Sequence, residues 1–113
     1  MRFRRGSRVW ARSGPTDLRK GFAGLAALVQ YEMGHDLLAG DLFVFISRDR
    51  QLLKLLAWDG TGLLLYSKRL AKGRFAEVWR HRHGERIELP LRVLHQLLEG
   101  ADVTAAEAWR KRR

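Results

Sequence analysis

Three apolar runs in quick succession constrain this chain more than any other feature. Asp41-Leu42-Phe43-Val44-Phe45-Ile46, Leu52 to Trp58 and Leu63 to Tyr66 are separated only by Arg48-Asp49-Arg50 and by Asp59-Gly60. The first run is continuous, short and enriched in aromatic and β-branched residues, the pattern of a strand. Asp-Gly between two apolar runs is a hairpin cue, because a type I′ turn needs positive φ at both central residues. The middle of the chain therefore reads as successive antiparallel strands.

The flanks complete the reading. Ser7-Arg8-Val9-Trp10-Ala11 is a short strand, and Ser13-Gly14-Pro15-Thr16 is a turn. Leu18, Phe22, Leu25 and Val29 recur at helical spacing and predict a helix over 17–33, with Thr16 or Asp17 as N-cap and Gly34 as its stop. Phe75 to Trp79 and Arg86 to Leu89 read as further strands around a turn near His83-Gly84. A second helix is expected over 90–99, with Leu91, Leu94 and Leu98 inward and Gly100 ending it. The expected fold is a small α+β domain: an antiparallel meander of about five strands, one longer N-terminal helix and one short C-terminal helix. A chain of 113 residues has room for one such domain, assigned to 1–102, with 103–113 as a basic tail.

Charge sets the class of partner. Lys and Arg number 22 against 12 Asp and Glu, a net charge of +10, which favours a polyanion. Hydrophobic residues make up 46%, too many for a disordered polyelectrolyte. Seven of the basic residues lie in 1–20, seven in 48–74 and eight in 80–113, so the charge belongs mainly to the folded body. No apolar run approaches the length of a membrane span. The first residues lack the apolar stretch of a signal peptide, so a cytoplasmic, nucleoid-associated location without a membrane partner is expected. The absence of cysteine excludes disulfides, thiolate catalysis and cysteine-based metal sites.

Candidate binding residues follow from the placement of the cations. Arg19 and Lys20 fall in the first turn of the expected helix, where its dipole opposes positive charge. A phosphate bound beside Thr16 and Asp17 would relieve that conflict; so would pairing of one cation with Asp17. Arg48, Arg50 and Lys54 cluster around the first hairpin turn, and Lys68, Arg69, Lys72 and Arg74 follow the third strand. If Lys54 and Trp58 share a sheet face with Tyr66 and Lys68, the four form a basic surface on which bases stack; otherwise Trp58 and Tyr66 are packing residues. No metal, cofactor or catalytic constellation is expected. Asp17, Asp41, Asp49 and Asp59 read as cap and turn residues, and His81-x-His83 stands beside Arg80 and Arg82, which oppose a cation.

Specific strings carry the reading further. Thr16-Asp17-Leu18-Arg19-Lys20-Gly21, Gly24-Leu25 and Leu28-Val29 are followed in order by Leu42 to Phe45, Arg48, Lys54 and Trp58-Asp59-Gly60-x-Gly62. Lys68-Arg69-Leu70, Gly73-Arg74-Phe75 and Leu97-Leu98-Glu99-Gly100 complete the set. Over about residues 7–102 the chain resembles the TnpB, or Orf2-like, accessory proteins of insertion sequences of the IS-sixty-six type. It departs from that pattern at Ala76 to Trp79, which lacks a proline, and at Ala101-Asp102-Val103. The resemblance implies a non-catalytic bacterial accessory protein of transposition acting beside a separate transposase. DNA is then the expected polyanion, and phosphates are the expected contacts of the cations named above. The alternative is an adaptor that docks on the transposase with little DNA contact.

Overall fold

Every residue of Leu42–Ile46 is buried. A strand buried on both faces must lie inside a sheet that is covered on both sides. A computed structural model, describing residues 6–78 and 86–100, has that arrangement. The elements in chain order are β1 (Val9–Arg12), α1 (Phe22–Ala27), β2 (Leu42–Ile46), β3 (Leu52–Trp58), β4 (Leu63–Arg69), β5 (Arg86–Leu89) and α2 (Leu91–Leu98). The sheet order is β4-β3-β2-β1-β5.

The sheet is mixed, which corrects the expected meander. β1 pairs parallel with β2, and every other pairing is antiparallel. The stretch between β1 and β2 is long enough to hold a helix, and α1 makes it a crossover unit. The segment expected as a strand at 75–79 is not one in its described part. Phe75, Ala76 and Val78 instead bury their side chains under the sheet. Trp79 lies outside the described residues, as do the turn at His83-Gly84, the His81-x-His83 pair and the segment 103–113.

Alternation along the strands divides the core into two layers. Trp10, Phe43, Phe45 and Leu56 face Leu18, Leu25, Val29 and Met33 on the α1 side. Val9, Leu42, Val44, Leu53 and Leu55 face Phe75, Val93, Leu94 and Leu97 on the α2 side. The inward stripe of α2 is thus Val93, Leu94 and Leu97, and Leu91 stays 54% exposed. Pro90 begins this helix, its carbonyl accepting from the Val93 and Leu94 N–H groups.

α1 starts later than its periodicity predicts. Gly21 is its N-cap, without a side-chain cap, and Phe22 is half exposed at its first position. After Ala27 the helix widens into a π-helical turn, Leu28–Glu32, in which the Met33 N–H reaches back five residues to the Leu28 carbonyl at 2.8 Å. Gly34, with φ +70°, stands just beyond the end, as expected of a stop. The β3–β4 hairpin closes through four residues instead of a two-residue type I′ turn. The Asp59 carboxylate accepts from the Thr61 and Gly62 N–H groups, and within the turn only Gly60 has positive φ.

Candidate nucleic-acid interface

The sheet brings three turns to one of its ends. β1 and β2 run parallel, so both finish there; β3 begins there and β4 finishes there. The crossover loop 13–21, the turn 47–51 and the loop 70–74 are therefore neighbours. Backbone hydrogen bonds tie them together: Thr16 N–H to the Ile46 carbonyl (2.9 Å), Leu70 N–H to Gln51 (2.9 Å) and Phe75 N–H to Arg50 (2.7 Å). Between the first two turns lies a cleft of about 470 Å³, lined by Pro15 to Leu18 and Ser47 to Asp49. A smaller cleft of about 260 Å³ adjoins it and reaches Arg19 and Arg69. This is the carboxyl end of the parallel strand pair, the usual place for a ligand crevice in sheets containing parallel strands.

The predicted cations separate into two groups here. Arg48, Arg69, Lys72 and Arg74 are exposed and make no hydrogen bond or ion pair among the described residues. Arg19 and Lys20 are also exposed at this end, and Arg19 carries an ion pair with Asp17. The Arg19 Nη2 stands 2.7 Å from the Asp17 carboxylate, which also accepts from the Arg19 backbone N–H at 3.1 Å. That hydrogen bonding drives the Asp17 carboxyl far below the usual range and raises the Arg19 guanidinium.

The second group is tied down by carbonyls. Lys54 Nζ donates to the Lys20 carbonyl at 3.0 Å, and Lys68 Nζ donates to the Leu98 carbonyl at the end of α2. Arg50 has a side chain 18% exposed, donates to the Phe75 carbonyl at 3.4 Å and stands 3.9 Å from Glu77. These three hold turns and a helix end in place, a role that residue type alone does not reveal.

Two expected arrangements are corrected by geometry. Arg19 and Lys20 precede α1 and so do not stand in its first turn, and neither Thr16 nor Asp17 is its N-cap. Thr16 is buried, with its hydroxyl 3.3 Å from Arg12 Nη1. The proposed stacking surface does not assemble either. The register sets Lys54 opposite Ser67 and Trp58 opposite Leu63, whereas Tyr66 lies opposite Leu55 and Lys68 opposite Leu53. Lys54 and Trp58 thus share the α1 face, and Tyr66 and Lys68 the α2 face. A hairpin loop with an even number of residues always separates these pairs.

Asp17 and Asp49 border the same clefts, closer than their sequence positions suggest. Asp49 accepts from Ser47 Oγ (2.7 Å) and the Gln51 N–H (3.1 Å), bonds that lower its carboxyl, with a smaller contribution from Arg69. Each carboxylate is thus engaged in its own turn. No group of three or more His, Asp or Glu side chains suited to a metal occurs among the described residues.

Sequence reading missed a second polar assembly at the opposite end. The Asp41 carboxylate accepts from the Arg8 N–H and Trp10 Nε1, both at 3.0 Å, and the His35 ring packs between Trp10 and Phe43. The Arg86 guanidinium lies 5.2 Å from the Trp10 ring and donates to the Met33 carbonyl. Asp41 gave the only signal, and a turn residue at the start of a strand is too common to single it out.

The sequence model of the family described as IS66 Orf2 like protein matches residues 7–108. The chain belongs to this family. Its members are associated with insertion sequences and accessory to transposition. The chain is 43% identical to the Sinorhizobium fredii (strain NBRC 101917 / NGR234) protein named "Uncharacterized protein y4hO", over 91% of its own length and 89% of that protein's. It is 39% identical to "Uncharacterized protein y4jC" of the same strain, over 63% of its own length and 61% of that protein's. No solved structure matches. No helix among the described residues is long and apolar enough to cross a membrane. The strings that carry the family resemblance meet in pairs. Lys54 holds the Thr16–Gly21 turn through Lys20, and Lys68 holds the Leu97–Gly100 helix end.

Proposed function

We propose that this family member is a non-catalytic accessory protein of insertion-sequence transposition that binds duplex DNA by its phosphates, alongside a separate transposase. The observation that carries the reading is the convergence of Arg19, Lys20, Arg48, Arg69, Lys72 and Arg74 on one end of the sheet, all exposed. Side chains of this kind position a phosphate backbone; the rim loops hold one amide side chain, Gln51, and no Asn for reading base edges. If all six neutralise a phosphate, log affinity falls with log salt at a slope near −5. A titration of element-end duplex and random duplex between 50 and 200 mM salt checks this, and an affinity that does not change with salt contradicts it.

One observation favours a second reading, an adaptor that docks on the transposase. Residues 22–31 carry no charge, and their outer surface leaves Tyr31 81% and Phe22 47% exposed. Large apolar side chains left exposed along an uncharged segment are a common mark of a protein interface. In this reading the docking face is α1 with the π-helical turn that follows it, and Leu91 at the start of α2 is a further exposed apolar side chain. A pull-down with the cognate transposase after nuclease treatment separates the two readings: a complex that survives favours the adaptor.

A further inference from the structure

The two edges of the sheet are protected unequally. β5 is four residues long, with Arg86 and Glu88 exposed and Glu88 paired to Arg8 at 3.4 Å. β4 is seven residues long, runs without a bulge against β3, and has no strand on its outer side among the described residues. From Leu63 to Ser67 it contains no charge and no proline. Such an edge is a ready template for another strand.

The direction of its free backbone groups follows from the ladder. The Gly62 carbonyl accepts from Asp59, and the Leu70 N–H donates to Gln51, so both ends of β4 bond inward. Inward and outward residues alternate in an antiparallel ladder, so Leu64, Tyr66 and Lys68 also bond inward. Leu63, Leu65, Ser67 and Arg69 turn their N–H and C=O groups outward.

The geometry points to a second copy of this chain as the occupant, its β4 pairing antiparallel with this one about a two-fold axis at Leu65. The uncharged window 63–67 is centred on that residue. In this register Leu65 meets Leu65 of the second copy, Leu63 meets Ser67, and Leu64 meets Tyr66, so every outward group in the window is paired. Leu65 extends the α1-side layer across the axis, and the Leu64–Tyr66 contacts extend the other face. Two chains of charge +10 repel, and this register keeps Lys68 and Arg69 out of the contact. Both cations come to lie abreast of the other copy's 59–62 turn, where Asp59 supplies a carboxylate. An axis at Tyr66 would instead set Lys68 against Leu64 and Arg69 against Leu63. An axis at Leu64 would pair only three strand residues. The pairing depends on the sheet edge alone and holds whether or not the rim binds DNA.

The test is sedimentation equilibrium of the full chain, free of nucleic acid, together with single cysteines placed in this cysteine-free sequence. The wild type is expected to sediment as a dimer and Ser67→Pro as a monomer, since the Ser67 N–H points away from β3 and its loss leaves the fold's own ladder whole. Under mild oxidation Leu65→Cys cross-links to a dimer, because facing residues in such a pair lie about 5.5 Å apart, within disulfide reach. Tyr66→Cys does not, its counterpart being roughly 8 Å away. A wild-type chain that stays monomeric, or cross-linking through Tyr66→Cys in place of Leu65→Cys, overturns the proposal. If Ser67→Pro does not fold, the two cysteine variants decide by themselves.

Discussion

The loop end of the sheet and its interior use the same residue types for different purposes. At the loop end, Arg48, Lys72 and Arg74 project from turns whose backbone groups bond to one another and Arg69 from the last position of β4, and no carbonyl captures the side chains. Within the sheet, Lys54 and Lys68 donate to the carbonyls of Lys20 and Leu98, and the half-buried Arg50 of the turn 47–51 donates to that of Phe75. A cation already donating to a backbone carbonyl has fewer protons left for a phosphate, and removing it leaves that carbonyl without its partner. Family motifs made of Lys and Arg therefore mix exposed, uncaptured cations with residues that hold the fold.

The sharpest way to break this division is to remove the loop-end group together. Arg48→Ala, Arg69→Ala, Lys72→Ala and Arg74→Ala in one chain should weaken duplex binding on the order of 10²–10³-fold at physiological salt and make the salt slope shallower by about four units. The melting temperature should stay where it is, because none of the four makes a hydrogen bond among the described residues. A gel shift and a thermal melt on that variant check both parts.

A substitution at the helix end probes the other region. Gly100 ends α2 with φ +79°, and a Cβ there would meet Leu70 Cδ2 at 2.8 Å. Leu70 packs against the α2-side core and must give way, and the backbone angle is strained for any Cβ, so Gly100→Ala should cost about 1 kcal/mol or more of stability by denaturant titration. It should leave the salt slope of DNA binding unchanged.

The smallest effect expected is a pH dependence at the far end of the sheet. Burial, then the Arg86 guanidinium, holds His35 below the ordinary imidazole range; Asp41 opposes this and Arg8 adds to it. The unfolded chain takes up this proton near pH 6.5, whereas the folded chain takes it up only at lower pH. The stability linked to this group is therefore complete above about pH 6.5 and is lost as pH falls toward the folded value. His35→Phe should remove that component of the pH profile. The change also removes a buried Nε2 that lacks a hydrogen-bond partner, so stability at neutral pH should not fall. Melts of both chains across the acid range give the comparison.

Much of the sheet was legible in the sequence. The runs at β2, β3 and β4 predicted strands whose bounds differ from the observed ones by a few residues at most, and Pro90 and Gly100 bracket α2 as expected. The parallel pairing of β1 with β2 was overlooked, although two clues pointed to it. An unbroken apolar run such as Leu42–Ile46 is the mark of a strand covered on both faces, and strand–helix–strand spacing calls for a crossover. The start of α1 was not legible. Thr16 and Asp17 look like cap residues, but the Thr16 N–H is drawn to the Ile46 carbonyl, a partner thirty residues away in sequence. For the candidate site, Arg48, Arg69, Lys72 and Arg74 were identifiable as surplus charge, but their convergence with Arg19 and Lys20 required the sheet topology. The capture of Lys54 and Lys68 depends on carbonyls that only tertiary structure brings near.

Lys68 and Arg69 are adjacent on β4, and they test the division between the two regions most directly. Lys68→Met and Arg69→Ala should be compared by thermal melt and by salt titration of duplex binding. Arg69→Ala is expected to make the slope shallower by about one unit with no change in melting temperature. Lys68→Met is expected to keep the wild-type slope and to lower the melting temperature by roughly 5 °C, the loss of a charged hydrogen bond to the α2 end. A flattened slope for Lys68→Met at unchanged melting temperature would contradict the account.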